Sequence, residues 1–117
     1  MIEQGLQQEI NMVMTEARNR RLEFVTVEHL LLALLNMDDI ISFLRGKRVN
    51  IDELRSELDQ YIDSHTPIIS EDAEIDIVPT VGFQRVLQRS VYQAQSAQKN
   101  SVNAMNVFVS IFSEKES

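Results

Sequence analysis

Displaced by 77 residues against itself, this chain superimposes its apolar positions without a gap. Leu6 falls on Phe83, Ile10 on Leu87, Met14 on Val91 and Ala17 on Ala94. Residues 25–35 (VTVEHLLLALL) fall on residues 102–112 (VNAMNVFVSIF), so that Thr26 meets Asn103, two residue types that cap helix N-termini. A period of 77 is too long for a solenoid, whose repeats run roughly 20–50 residues. It indicates one helical unit used twice, with pseudo-twofold symmetry.

The spacing within each copy is helical. Leu6, Ile10, Val13, Met14 and Ala17 line one face of a first helix. Thr26 caps a second, with Glu28 in the first turn, where the helix dipole favours an anion, and with Val27, Leu30, Leu31, Leu34 and Leu35 as its apolar stripe. Asp38 or Asp39 is positioned to cap a third through Ile40, Ile41, Phe43 and Leu44, and Gly46 to end it as a left-handed residue. Asn50 followed by Glu53 resembles a capping box ahead of Ile51, Leu54, Leu58, Tyr61 and Ile62. The pattern fails over residues 64–79, which hold both prolines and four acids and read as a linker. It resumes with Phe83, Val86, Leu87, Val91 and Ala94, then Ala104, Val107, Phe108, Ile111 and Phe112. The predicted fold is all-α, a duplicated four-helix repeat: 1–63 the first unit, 64–79 an acidic linker, 80–117 an incomplete second unit. A full copy would run to about position 139, 77 beyond Ile62, which favours a fragment of a longer chain. The expected consequence is an under-covered face around Val107, Phe108, Ile111 and Phe112.

Charge and motif content narrow the function. Of the net −7, the stretch 52–76 carries nine acids against Arg55 alone, while the remainder balances nine acids with ten bases. An acidic segment repels phosphate, which argues against nucleic acid as a partner. No apolar run reaches the ~18 residues of a membrane span, and the N-terminus lacks the basic-then-apolar layout of a signal peptide. Cysteine is absent. Gly5, Gly46 and Gly82 are far apart, and Gly46-Lys47 is followed by neither Ser nor Thr, so no phosphate-cradling loop is present and no catalytic residue is assigned. His29, near the start of an apolar helix, reads as a packed or capping residue, and His65 as solvated. No metal ligand set is assigned. The basic clusters Arg18, Arg20, Arg21 and Arg45, Lys47, Arg48 read as solvated faces or helix C-terminal charge complements, and Arg85 and Arg89 as partners of linker acids or of a following domain.

The strings EFVTVEHLLLALL, FQRVLQRSVYQAQ, VNAMNVFVSIF and IFSEKES closely resemble the N-terminal domains of the ClpA family, the ATP-binding AAA+ subunits of the ATP-dependent Clp protease. The related ClpC and ClpB domains share the duplicated fold, but ClpC-type domains carry a TEHILLGL-like string in both copies. Here Met105 and Asn106 stand where the first copy has Glu28 and His29, which favours the ClpA type. The resemblance implies a non-catalytic domain that docks adaptors and protein substrates for a hexameric, cytoplasmic bacterial unfoldase feeding the ClpP peptidase. ATP would be bound only by downstream modules. It also implies a docking edge for the adaptor ClpS formed by Glu23, Phe24, Glu28, Pro79 and Thr80. A zinc-site histidine of that family, two residues before Phe24, is Leu22 here. The alternative is a ligand-sensing domain that binds cationic or modified-arginine side chains through Glu28, as ClpC-like domains do. From the residues alone, Glu23 and Glu28 are equally consistent with solvated helix-terminus charges.

Overall fold

The computed structural model describes residues 1–71, 73–74 and 76–114; Asp72 and Ile75 of the acidic linker and residues 115–117 of the second unit lie outside the described residues. Six helices carry the fold: α1 (Gln4–Asn19), α2 (Val27–Leu34), α3 (Asp38–Gly46), α4 (Ile51–His65), α5 (Val81–Ser96) and α6 (Ala104–Ser113). Two short strands, β1 (Phe24–Val25) and β2 (Val78–Pro79), pair in parallel. The core gathers Leu6, Ile10, Leu30, Leu34 and Ile40 with Val86, Val107 and Phe108, so both copies contribute to one apolar interior.

The 77-residue repeat survives down to single hydrogen bonds. The Thr80 N–H donates to the Val25 carbonyl at 3.0 Å, and the Glu3 N–H to the Val102 carbonyl at 2.9 Å. Val25 pairs with Pro79 as Val102 pairs with Ile2. Each copy thus laces the segment before its first helix to the residue just ahead of the other copy's second-helix cap. Arg21 and Gln98 both adopt left-handed backbone, with φ of 58° and 59°. After each, an N–H turns back onto the helix just ended, from Leu22 to Ala17 at 3.0 Å and from Lys99 to Ala94 at 2.9 Å. That satisfies carbonyls a helix end would otherwise orphan. Thr26 with His29, and Asn103 with Asn106, form reciprocal capping boxes.

Several local expectations are corrected. Helix α3 is capped by Met37 without a side-chain bond, and Asp38 and Asp39 sit in its first turn. Gly46 is the last helical residue; the left-handed position is Arg48, with φ of 62°. Tyr61 leaves the buried face of α4 and stacks on the exposed His65 ring at 3.9 Å. Arg85 and Arg89 pair with the buried carboxylate of Glu114, at 3.1 and 3.7 Å, and with no described linker acid. Val107, Phe108 and Ile111 are buried, because α3 and α2 pack on α6 and Phe43 meets Phe108 edge to face at 5.7 Å. Phe112 alone of that group remains open, 69% exposed.

Candidate functional site

The sequence-assigned edge is built where the two copies lace together. Glu23 leads directly into strand β1 and is held by its backbone: its N–H donates to the Pro67 carbonyl at 2.8 Å, and its carbonyl accepts from the Val78 N–H at 3.1 Å. Both backbone groups are thereby satisfied while the carboxylate stays exposed. On the adjacent strand, Pro79 lies beside Val25. Pro79 has no N–H, and its carbonyl accepts from the Gln84 side chain at 3.1 Å, so this sheet edge is closed to further strand pairing. Thr80 follows as the N-cap of α5, its hydroxyl accepting from the Phe83 N–H at 3.3 Å. Its first role is therefore structural.

Glu28 is the second residue of α2, two positions beyond the Thr26 cap. It is half-buried and has no ion-pair partner among the described residues. Gly82 lets the starts of α5 and α2 approach: a Cβ there would lie 3.1 Å from a methyl of Val27. Pairing of the strands and this close approach bring Glu23, Phe24, Pro79 and Thr80 onto one edge, with Glu28 on the helix that leaves it. Sequence reasoning missed the apolar rim. Ile68, Val78 and Val81 are 72%, 44% and 62% exposed. The signal available was position: Ile68 and Val78 flank the two prolines outside any helix, and Val81 opens α5 directly after its Thr80 cap, before the buried face of that helix begins.

Beneath the edge, His29 is buried and locks the helix start. The Thr26 N–H donates to His29 Nδ1 at 3.0 Å, which puts the neutral ring's proton on Nε2. The His29 N–H returns a bond to the Thr26 hydroxyl at 3.4 Å. Burial, and then the charge of Arg20, lower the His29 pKa from 6.5 to about 4. Arg20 in turn pairs with Asp63 of α4. Leu22, which the resemblance aligns with a histidine, is buried against Ala17 and Ile62. Among the described residues, no group of His, Cys, Asp or Glu is arranged to hold a metal. No helix among them is long and apolar enough to cross a membrane.

Residues 1–117, the whole chain, match the Clp repeat (R) N-terminal domain. The chain belongs to that family. A ClpA homolog protein of Fuscovulum blasticum is 37% identical over 113 residues, which are 96% of this chain and 14% of that protein. The chain thus corresponds to a small part of that relative's length. The fold is shared with more distant domains at much lower identity. The Hsp104 N-terminal domain of Candida albicans superimposes with a TM-score of 0.80 at 13% identity, over 94% of this chain and 72% of that one. The N-domain of ClpV from Vibrio cholerae does so with a TM-score of 0.77 at 13% identity, over 96% and 66%. This chain is therefore a Clp N-domain, similar to part of a ClpA homolog, and it shares its fold with the N-domains of Hsp104 and ClpV.

Proposed function

We propose that this domain docks the adaptor ClpS, and through it protein substrates, for a ClpA-like AAA+ unfoldase that delivers proteins to ClpP. The observation that carries this reading is the edge itself: the Glu23 and Glu28 carboxylates, without ion-pair partners among the described residues, stand beside exposed Val78 and Val81 on a backbone laced between two repeats. Apolar area supplies affinity, and uncompensated carboxylates supply orientation and on-rate toward a cationic partner. The domain contributes no bond-breaking chemistry. Tethering a loaded adaptor raises substrate concentration at the pore of the hexameric parent, in the bacterial cytoplasm, where downstream modules would bind ATP.

Calorimetric titration with ClpS tests this. Glu28→Ala should cost the fold only ~0.3–1 kcal/mol, since it loses a favourable dipole contact. If Glu28 meets a cation at a partly desolvated interface, binding falls by about 2 kcal/mol, roughly thirtyfold. Glu23→Lys should weaken it further through like-charge repulsion. Exposed Asp59 on α4 is the control, and Asp59→Asn should change little. Folded Glu23 and Glu28 variants that bind within a factor of two of wild type would return both residues to ordinary helix-terminus charges.

A further inference from the structure

Between α5 and α6, Asn100 and Ser101 hang between two fixed points. Before them, the Lys99 N–H donates to the Ala94 carbonyl at 2.9 Å. After them, the Val102 N–H donates to the Met1 carbonyl at 2.6 Å, and the Val102 carbonyl accepts from the Glu3 N–H at 2.9 Å. In between the chain bends and Asn100 is exposed. Neither its carboxamide nor the Ser101 N–H has a hydrogen-bond partner among the described residues. Both residues line a cleft of about 220 Å³ shared with Lys99. A carboxamide followed by an unbonded N–H on a small residue is set to react with its own backbone.

The other asparagines lack this combination. Asn11 and Asn19 lie in α1, and the Arg20 N–H that follows Asn19 donates to the Glu16 carbonyl at 3.0 Å. The N–H after Asn36, from Met37, donates to the Leu34 carbonyl at 2.9 Å, and the one after Asn106, from Val107, to the Asn103 carbonyl at 3.3 Å. Asn50 and Asn103 cap helices, their side-chain oxygens accepting from the Glu53 and Asn106 N–H groups at 3.0 and 2.9 Å. A bonded N–H attacks only after local opening, and a capping carboxamide must leave its helix. In the first copy the place of Asn100 belongs to Glu23, which has no ammonia to lose and whose own N–H is bonded to Pro67.

We infer that Asn100 is a site of spontaneous covalent modification, which puts a carboxylate at the symmetry mate of Glu23 and loosens the lace at Val102. The Ser101 backbone nitrogen attacks Cγ of Asn100. The N–Cγ bond forms, the Cγ–Nδ2 bond breaks, and ammonia leaves with the proton the nitrogen gives up. Water then adds across one C–N bond of the resulting cyclic imide. Opening at Cγ gives aspartate; opening at the main-chain carbonyl gives isoaspartate, whose backbone is longer by one methylene. That extra length falls between the Ala94 and Met1 anchors, which are spaced for an ordinary chain. The test is peptide mapping of protein aged at neutral and mildly alkaline pH, with isoaspartyl methyltransferase labelling. Conversion at Asn100 should run about tenfold faster than at Asn36, whose following N–H must first release its hydrogen bond. It should accelerate with hydroxide concentration, because the attacking nitrogen is deprotonated. Asn100→Gln, which would have to close a larger ring, should lose the label and keep the fold. Amide exchange at Glu3 and Val102 should quicken in the isoaspartate form and stay at the wild-type rate in Asn100→Asp, which adds the charge without the methylene. Label that persists in Asn100→Gln, or conversion at Asn36 as fast as at Asn100, would overturn the site. Unchanged exchange in the isoaspartate form would overturn the loosening of the lace.

Discussion

Helices α2 and α6 occupy equivalent places in the two repeats and carry opposite surfaces. Each begins in a reciprocal capping box and each buries its inner stripe. Outward, they diverge. Leu35 is fully buried, because α4 packs on α2 and the Arg55 guanidinium donates to the Leu35 carbonyl at 3.3 Å; its mate Phe112 is open. Glu28 is matched by Met105 and Glu23 by Asn100. The cap itself differs in chemistry, a titratable His29 against an inert Asn106. Duplication thus keeps the backbone solution while the side chains on the outer face diverge between the copies.

The largest test of this contrast is truncation at the paired positions. Leu35→Ala should cost about 2–5 kcal/mol in urea unfolding, the usual range for a filled core site. Phe112→Ala, which loses its edge-to-face contact with Phe108 at 4.9 Å, should cost only about 0.5–1.5 kcal/mol. Similar costs at both positions would mean that the outer face of α6 is covered in solution.

The caps should separate on acidification. A histidine whose folded pKa is depressed binds its proton more readily in the unfolded chain, so its stabilisation is complete above pH 6.5 and drains as pH falls toward 4. The full difference is about 3 kcal/mol. His29→Asn, which copies the second repeat, should keep the box, hold stability near neutrality within ~1 kcal/mol and flatten the profile between those limits. A wild-type stability that does not change over that interval would show that the buried ring carries no such penalty.

The left-handed turns give the smallest effect. Gln98→Gly and Arg48→Gly should each stabilise by about 0.5–1 kcal/mol, raising the melting temperature a few degrees, since glycine carries no Cβ into that backbone region. Arg21→Gly should show no gain, because the relief is offset by three lost carbonyl contacts. A gain at Arg21 equal to the other two would reduce its guanidinium to a bystander.

Much of the helical frame was legible because it rests on short-range rules. Apolar spacing placed the helices, and Thr26, Asn50 and Asn103 were recognisable as caps because the carboxamide or hydroxyl needs only its own next turn. The 77-residue period carried the pseudo-symmetry, since two copies of one pattern fold by the same local preferences. The candidate edge was named from family resemblance, but Ile68, Val78, Val81 and the bonds from the Arg21 guanidinium to the Ile69, Ser70 and Ala73 carbonyls were not, and Arg48 displaced Gly46 as the left-handed residue. Those features depend on which segments meet across dozens of residues. Sequence alone determined where helices begin, which faces are apolar and that the unit is doubled. Only the tertiary structure decided that Glu114 closes on Arg85 and Arg89, that α3 shelters Phe108, and that Pro67, Ile69 and Val78 of the linker bond to the backbone of Arg21 and Glu23. Periodicity encodes a helix's own buried side, but the partner of a charge or a free carbonyl is set by the packing of the whole chain.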